Sequence, residues 1–389
     1  MAIHVGIIDQ DPIRLITPLL DNRALSKHII FIGVPDQEPQ YLRLESVLKK
    51  RHIQSEFFTI PDVVDTAALK QSIQQLAQQL HQRGEEIRLN ASCGQRHRLL
   101  SVYEVFRTYE WPIFVIEPNS DHLCWLYPDG REEIQVEDRI KIADYLTIFG
   151  ARSEFNDPEL SDSLRKQLHQ LGQRWANQAL ELGPGLATLN YLATTCRKEQ
   201  QLDVALSEKQ QGYRELNMLI TDLVDAHMAT YHNGVLTFVS EEARRFANGE
   251  WLETLVYSTV LKIQQHTPTI QDLSMNVQVY REIGEREVRN ELDVATVVNN
   301  KLHIIECKTK GMRDDGDDTL YKLDTLRDLL GGLQARAMLV SFRPLRYNDI
   351  TRAEDLGLAL IGPEELKDLE NHLKQWFIQA GGNDEPSTV

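Results

Sequence analysis

Glu291-Leu-Asp-Val-Ala-Thr-Val-Val-Asn-Asn-Lys-Leu-His-Ile-Ile-Glu-Cys-Lys308 decides how the C-terminal part of this chain folds. Two runs rich in aliphatic and β-branched residues flank Asn299-Asn300, a pair suited to a two-residue turn with φ > 0. That turn pairs Val298 with Lys301, and the same register sets Asp293 opposite Glu306, with Cβ atoms about 5 Å apart. Lys308 lies two residues beyond Glu306 and shares its face. Two opposed carboxylates repel unless a cation sits between them, and a divalent metal beside an ammonium group resolves the conflict. Alternation puts Ala295, Val297, Leu302 and Ile304 on the carboxylate face, and Leu292, Val294, Ile305 and Cys307 on the other. A strand pair apolar on both faces belongs at the centre of a sheet. The pattern predicts a metal-dependent hydrolytic site.

Around this hairpin the pattern continues as a helix from Gly249 to about Gln265 and a strand at Met275–Arg281. A helix at Thr319–Leu330 and strands at Arg336–Phe342 and Ala359–Ile361 follow the hairpin. Residues 246–389 therefore read as one α/β domain. In residues 1–150, strands at His28–Val34, Ile53–Thr59, Glu86–Asn90 and Pro112–Glu117 alternate with amphipathic helices, which predicts a Rossmann-like parallel sheet. Residues 151–245 carry helical patterns and then an Asn233-Gly234 hairpin, the order of a winged-helix-like module with a connecting role. The tail Gly381–Val389 reads as disordered.

The chain has 389 residues, a formal net charge of −16 and 42% hydrophobic residues. That charge argues against a generic basic nucleic-acid coat but not against a nuclease, whose metal supplies positive charge. The four scattered cysteines have no metal-knuckle spacing and fit a reducing cytoplasm, and no apolar run is long enough to span a bilayer. The strand Glu86–Asn90 leads into Asn90-Ala-Ser-Cys-Gly-Gln-Arg96, a small-residue turn before a helix, where backbone N–H groups and the helix dipole suit an anion. It has neither a dinucleotide fingerprint nor a P-loop.

Asp293 with Glu306-Cys307-Lys308 resembles the PD-(D/E)xK nuclease superfamily, although Leu292 stands where that family has proline. The resemblance implies that Asp293, Glu306, the Cys307 carbonyl and Glu253 hold Mg²⁺ or Mn²⁺, and that Lys308 orients and helps deprotonate the attacking water. Lys310, Lys322, Arg327, Arg343 and Arg346 are candidates for contacts to substrate phosphates. The turn at Asn90–Arg96 is similar to that of CARF (CRISPR-associated Rossmann fold) domains, with Cys93 for a glycine, Gln95 for a threonine and Arg96 for a lysine. The whole chain resembles the Card/Can-type nucleases. This implies a homodimer whose CARF pocket binds a cyclic oligoadenylate, the tetra-adenylate foremost, through Asp9, Gln10, Asp11, Asn90, Ser92, Cys93, Gly94, Gln95 and Arg96. Binding would activate cleavage of single-stranded RNA or DNA, or nicking of duplex DNA, in type III CRISPR defence. The alternatives from other classes are an ungated repair or restriction-like endonuclease and a ligand-sensing transcription regulator acting through the winged helix.

Overall fold

The computed structural model describes residues 2–23, 25–63, 65–156, 161–310 and 316–379. The tail from Gly381 lies outside the described residues. Strands β1 (Ile3–Ile7), β2 (His28–Gly33), β3 (Gln54–Thr59), β4 (Ile87–Asn90) and β5 (Ile113–Ile116) run parallel in the order β3-β2-β1-β4-β5. The run Ile29-Ile30-Phe31-Ile32 in β2 is wholly buried, as a strand covered by helices on both faces must be. Helices α1 (Ile13–Leu20), α2 (Glu38–Lys49), α3 (Thr66–Arg83) and α4 (Arg96–Thr108) connect the strands. Sequence pattern missed α1 because seven of its eight residues are buried, which leaves no polar face to reveal a helical period. The chain builds outward from β1 to β3, then returns to β4 on the other side of β1. The loops after β1 and β4 diverge there and open a crevice, the usual ligand position in such sheets. Antiparallel β6 (His122–Tyr127) and β7 (Ile134–Gln135) extend the sheet, and α5 (Ile142–Ile148) leads out of it.

The next strand, β8 (Ala151–Glu154), pairs with β12 (Ile270–Ile283) of the C-terminal sheet, so residues expected from sequence to start the helical module close that sheet instead. A four-residue pairing to a strand more than a hundred positions away leaves no local signal. Helices α6 (Asp162–Asn177) and α7 (Ala179–Glu199) follow, and α7 continues past Pro184, its sixth residue. Strand β9 (Asp203–Ala205), α8 (Glu208–Gln211) and α9 (Arg214–Asp225) precede the hairpin of β10 (Ala229–His232) and β11 (Val235–Phe238). These three strands form a small antiparallel sheet in the order β10-β11-β9. Asn233 and Gly234 both have positive φ, as their turn requires.

The C-terminal part opens with α10 (Glu241–Arg245), a π-helical turn at Phe246–Glu250 and α11 (Trp251–Gln264). Strands β12 (Ile270–Ile283), β13 (Arg286–Val298) and β14 (Lys301–Lys308) form an antiparallel meander. Helix α12 (Gly316–Gly331) crosses over to β15 (Arg336–Ser341), parallel to β14. Helix α13 (Tyr347–Asp355), β16 (Ala359–Ile361) and α14 (Leu369–Gln379) complete the set. Two cores flank this sheet. One joins Leu15 and Leu48 of the N-terminal layer to Val297, Leu302 and Ile304. The other joins Trp175 and Leu189 of the helical module to Trp251, Val294 and Ile305.

Candidate active site

The Asn299-Asn300 turn has φ of 47° and 54°, and the ladder from Val298–Lys301 to Val294–Ile305 follows the register expected from the sequence. One step further the Cys307 amide donates to the Asp293 carboxylate at 2.7 Å, and Lys308 Nζ contacts Glu306 Oε1. Strict alternation fails just here. Leu292 packs in the core of Ala295 and Val297, not with Val294, Ile305 and Cys307 as alternation predicts. Asn276, which faces Asp293 in the β12–β13 register, has φ of 53°, a conformation that breaks the pleat.

Burial first, and then the charge of Glu306, push the Asp293 carboxyl up to about 7. Glu253, half-buried on the first turn of α11, is also raised, by burial and then by Asp293, Glu250, Glu291 and Glu306. Burial works against the Lys308 ammonium, but Glu306 and Asp293 outweigh it and raise its pKa. The carboxylates therefore feel one another strongly and lack charge compensation beyond Lys308. A donor set of this kind suits a hard divalent cation. Among the described residues no three His, Cys, Asp or Glu side chains are arranged to hold a metal. Asp293 is committed to the Cys307 amide and Glu306 to Lys308. Burial also holds the Cys307 thiol protonated, so of this residue only the backbone carbonyl is a fitting donor.

A cavity of about 420 Å³ opens beside this strand end. Lys308, Cys307 and Glu253 are on its wall, and Asp293 and Glu306 are not. Its far wall comes from the π-helical turn and the helical module. Gly249 there has φ of 131°, and a Cβ would stand 2.5 Å from Thr309 Oγ1, so only glycine permits this approach. Asn190 of α7 reaches Thr309 at 3.5 Å. Arg244 is 2% exposed and donates to the Ala193 carbonyl at 3.0 Å and to Glu241 at 2.8 Å. A larger cavity, about 1100 Å³, lies between the β6–β7 hairpin and α14, and none of the three residues Asp293, Glu306 and Lys308 lines it.

Of the five basic residues expected near substrate, Lys310 alone lines the smaller cavity. Lys322 is exposed on α12. Arg327 is tied to Asp324 at 2.6 Å and to the Leu356 carbonyl, and Arg346 pairs with Asp349 across the first turn of α13. Arg343 approaches Gly183 of α7. Besides Lys308 and Lys310, the cavity is lined by three arginines that the sequence does not single out, Arg197, Arg244 and Arg245. No motif marks them, since α7 and α10 meet β14 only in the folded chain.

At the crevice of the N-terminal sheet, the loop Asp9–Asp11 after β1 faces Ser92–Arg96 after β4. Gly94 has φ of 116°, and a Cβ on it would meet Ile7 Cβ at 2.9 Å. Its amide donates to the Asp9 carboxylate at 3.1 Å. Asn90 is fully buried and accepts from the Ser92 amide and hydroxyl, so it braces the loop from below. Cys93 is buried with its thiol pushed up to about 12 by burial, while Gln10, Gln95 and Arg96 are exposed. Asp11 reaches out of the N-terminal layer: its Oδ2 accepts from the Leu333 amide at 3.2 Å, in the turn between α12 and β15.

Residues 240–380 match the family described as Card1-like, endonuclease domain. The crystal structure of protein VC1899 from Vibrio cholerae is 74% identical over 98% of this chain and 99% of that one, with a TM-score of 0.95. Can2 from Sulfobacillus thermosulfidooxidans, solved in complex with cyclic tetra-adenylate, shares the fold at 20% identity, with a TM-score of 0.78 over 97% of this chain and 99% of that one. A type III CRISPR defence DNA nuclease activated by cyclic oligoadenylate is 15% identical, with a TM-score of 0.55 over 95% of this chain and 51% of that one. No curated protein matches. Among the described residues no helix is long and apolar enough to cross a membrane.

Proposed function

The chain belongs to the same family as Vibrio cholerae VC1899 and carries a Card1-like endonuclease domain, and on that premise we propose that it is a divalent-metal-dependent nuclease switched on by a cyclic oligoadenylate. The observation that carries this reading is the buried meeting of Asp293, Glu306 and Lys308 at the end of β14, with Glu253 alongside. Asp293, Glu306, the Cys307 carbonyl and Glu253 would hold Mn²⁺ or Mg²⁺ after the two carboxylates turn from their present partners. The metal, when bound, supplies a water acidified toward neutral pH and an electrophile for a phosphate oxygen. Lys308 orients that water and balances charge on the phosphate. The carboxylates fix the reacting centre in a half-buried place where such charges act more strongly than in open water.

The N-terminal crevice is the activator site of the same reading. Gly94 and the start of α4 offer a phosphate an amide and a helix N-terminus, with Arg96 and Gln10 exposed beside them. A phosphate there would displace the Asp9 carboxylate from the Gly94 amide. The Can2 complex with cyclic tetra-adenylate supports that ligand class. Residues 1–150 act as sensor and 246–389 as nuclease, in a homodimer whose activator spans the twofold axis, working in type III CRISPR defence in the cytoplasm. The test is a cleavage panel of single- and double-stranded DNA and RNA with Mn²⁺ or Mg²⁺, with and without cyclic tetra-adenylate. Cleavage that needs both metal and cyclic ligand is expected. Cleavage indifferent to the ligand would remove the switch, and none under any condition would remove the function.

A further inference from the structure

The cavity beside Lys308 does not end at the C-terminal domain. A second cavity, about 370 Å³, adjoins it, and Arg197 and Glu241 line both. The second is walled by Gln200, Gln201 and Leu202, in the turn between α7 and β9. Together they make a groove that runs from the catalytic strand end across the helical module. Its acidic residues are mostly occupied: Glu241 pairs with the buried Arg244, and Glu250 lies 3.4 Å from Arg245. Arg197 and Lys310 are exposed, and among the described residues neither side chain makes a hydrogen bond or an ion pair, while the Arg197 charge acts on Glu241 across the groove. The groove thus presents one exposed cation on α7 and another just past the end of β14, with polar Gln200 and Gln201 beyond Arg197.

We propose that a single nucleic-acid strand follows this groove, and that Arg197 holds one of its backbone phosphates, which makes the helical module part of the substrate interface. The proposal rests on the nuclease reading above and deepens it. It also favours a nucleic-acid-binding role for residues 151–245 over the connecting one that the sequence reading prefers. A guanidinium suits this task because its planar fork matches a phosphate. Arg197 is a binding residue and is expected to leave the chemistry at Lys308 to others.

The test is equilibrium binding of fluorescein-labelled single strands of about 12 nucleotides, DNA and RNA separately, to the full chain with Ca²⁺ and cyclic tetra-adenylate. Loss of one phosphate contact should lower the slope of log affinity against log salt by about 0.7, or raise Kd about fivefold at ~0.1 M salt. Arg197→Ala should show both changes, and Arg197→Glu a larger rise in Kd. A purely structural role would not move the salt slope. Unchanged Kd and slope in both variants would overturn the groove assignment while leaving the nuclease reading intact. Binding that depends on Arg197, without cleavage by the wild type in Mn²⁺, would keep the groove and remove the nuclease. Failure of the wild type to bind any single strand would overturn the groove assignment, and the nuclease reading would then stand or fall on the cleavage panel.

Discussion

Lys301→Met should destabilise the protein in a strongly pH-dependent way. Lys301 begins β14, the strand that carries Glu306 and Lys308, and is 4% exposed. Its ammonium donates to the Asn119 carbonyl at 2.9 Å in the N-terminal domain and faces Asp121, which is also 4% exposed, Glu117 and the half-buried Asp138. Asn300 next to it reaches Asp138 at 3.1 Å. Burial pushes Asp138 up to about 7, helped by Asp121, and burial pushes Asp121 up to about 6; Lys301 opposes both. Breaking a buried charge cluster on one side costs about 3–5 kcal/mol, and the partial exposure of Asp138 points to the lower end, about 3.

The sign follows from linkage. Acids whose folded pKa exceeds the unfolded value of about 4 contribute stability that is present below that pH and lost as pH rises through 6 and 7. Without Lys301 both folded values climb further, and each added unit costs roughly 1.4 kcal/mol once the pH exceeds it. Urea unfolding followed by tryptophan fluorescence should therefore give a loss of about 3 kcal/mol at pH 8. At pH 5, where both acids are protonated, it should shrink to roughly 1 kcal/mol of lost packing. Adding Asp138→Asn should recover over half the loss at pH 8. A loss equal at the two pH values would refute the charge account of this interface.

Three further outcomes follow from close approaches in the structure. Gly249→Ala puts a methyl group 2.5 Å from Thr309 Oγ1 at a φ of 131°, so it should lower stability by about 1–3 kcal/mol in thermal unfolding and also depress cleavage. Gly94→Ala forces a Cβ to 2.9 Å from Ile7 at a φ of 116°, and titration calorimetry should show weakened binding of cyclic tetra-adenylate. Asp11→Ala removes the acceptor of the Leu333 amide, the link between the β1 loop and the turn before β15. The ratio of cleavage rates with and without cyclic tetra-adenylate should fall several-fold, because coupling requires a contact that differs between the two states.

The hairpin was readable because its information is local. Two asparagines fix the turn, and the turn fixes the register, which the ladder keeps as far as Val294–Ile305, one step short of Asp293 and Glu306. What could not be read depends on distant pairings. The fault in alternation at Leu292 comes from Asn276, a residue on another strand whose left-handed backbone no local pattern announces. Strand β8 gives no sign that its partner is β12, and Arg197 becomes relevant only when α7 packs beside Thr309 through Asn190. In the N-terminal loop, Gly94 was legible as a tight turn before a helix. The burial of Asn90 and Cys93 was not, because sequence shows which residues share a loop but not which of them face the solvent.

The most direct test of the account is cleavage of a single-stranded oligonucleotide by wild type and Lys308→Ala, each folded to the same thermal midpoint, with Mn²⁺ and cyclic tetra-adenylate. The account predicts that the substitution lowers the rate at least about 100-fold, the scale of a lost general acid–base group. Equal rates for the two proteins would contradict it.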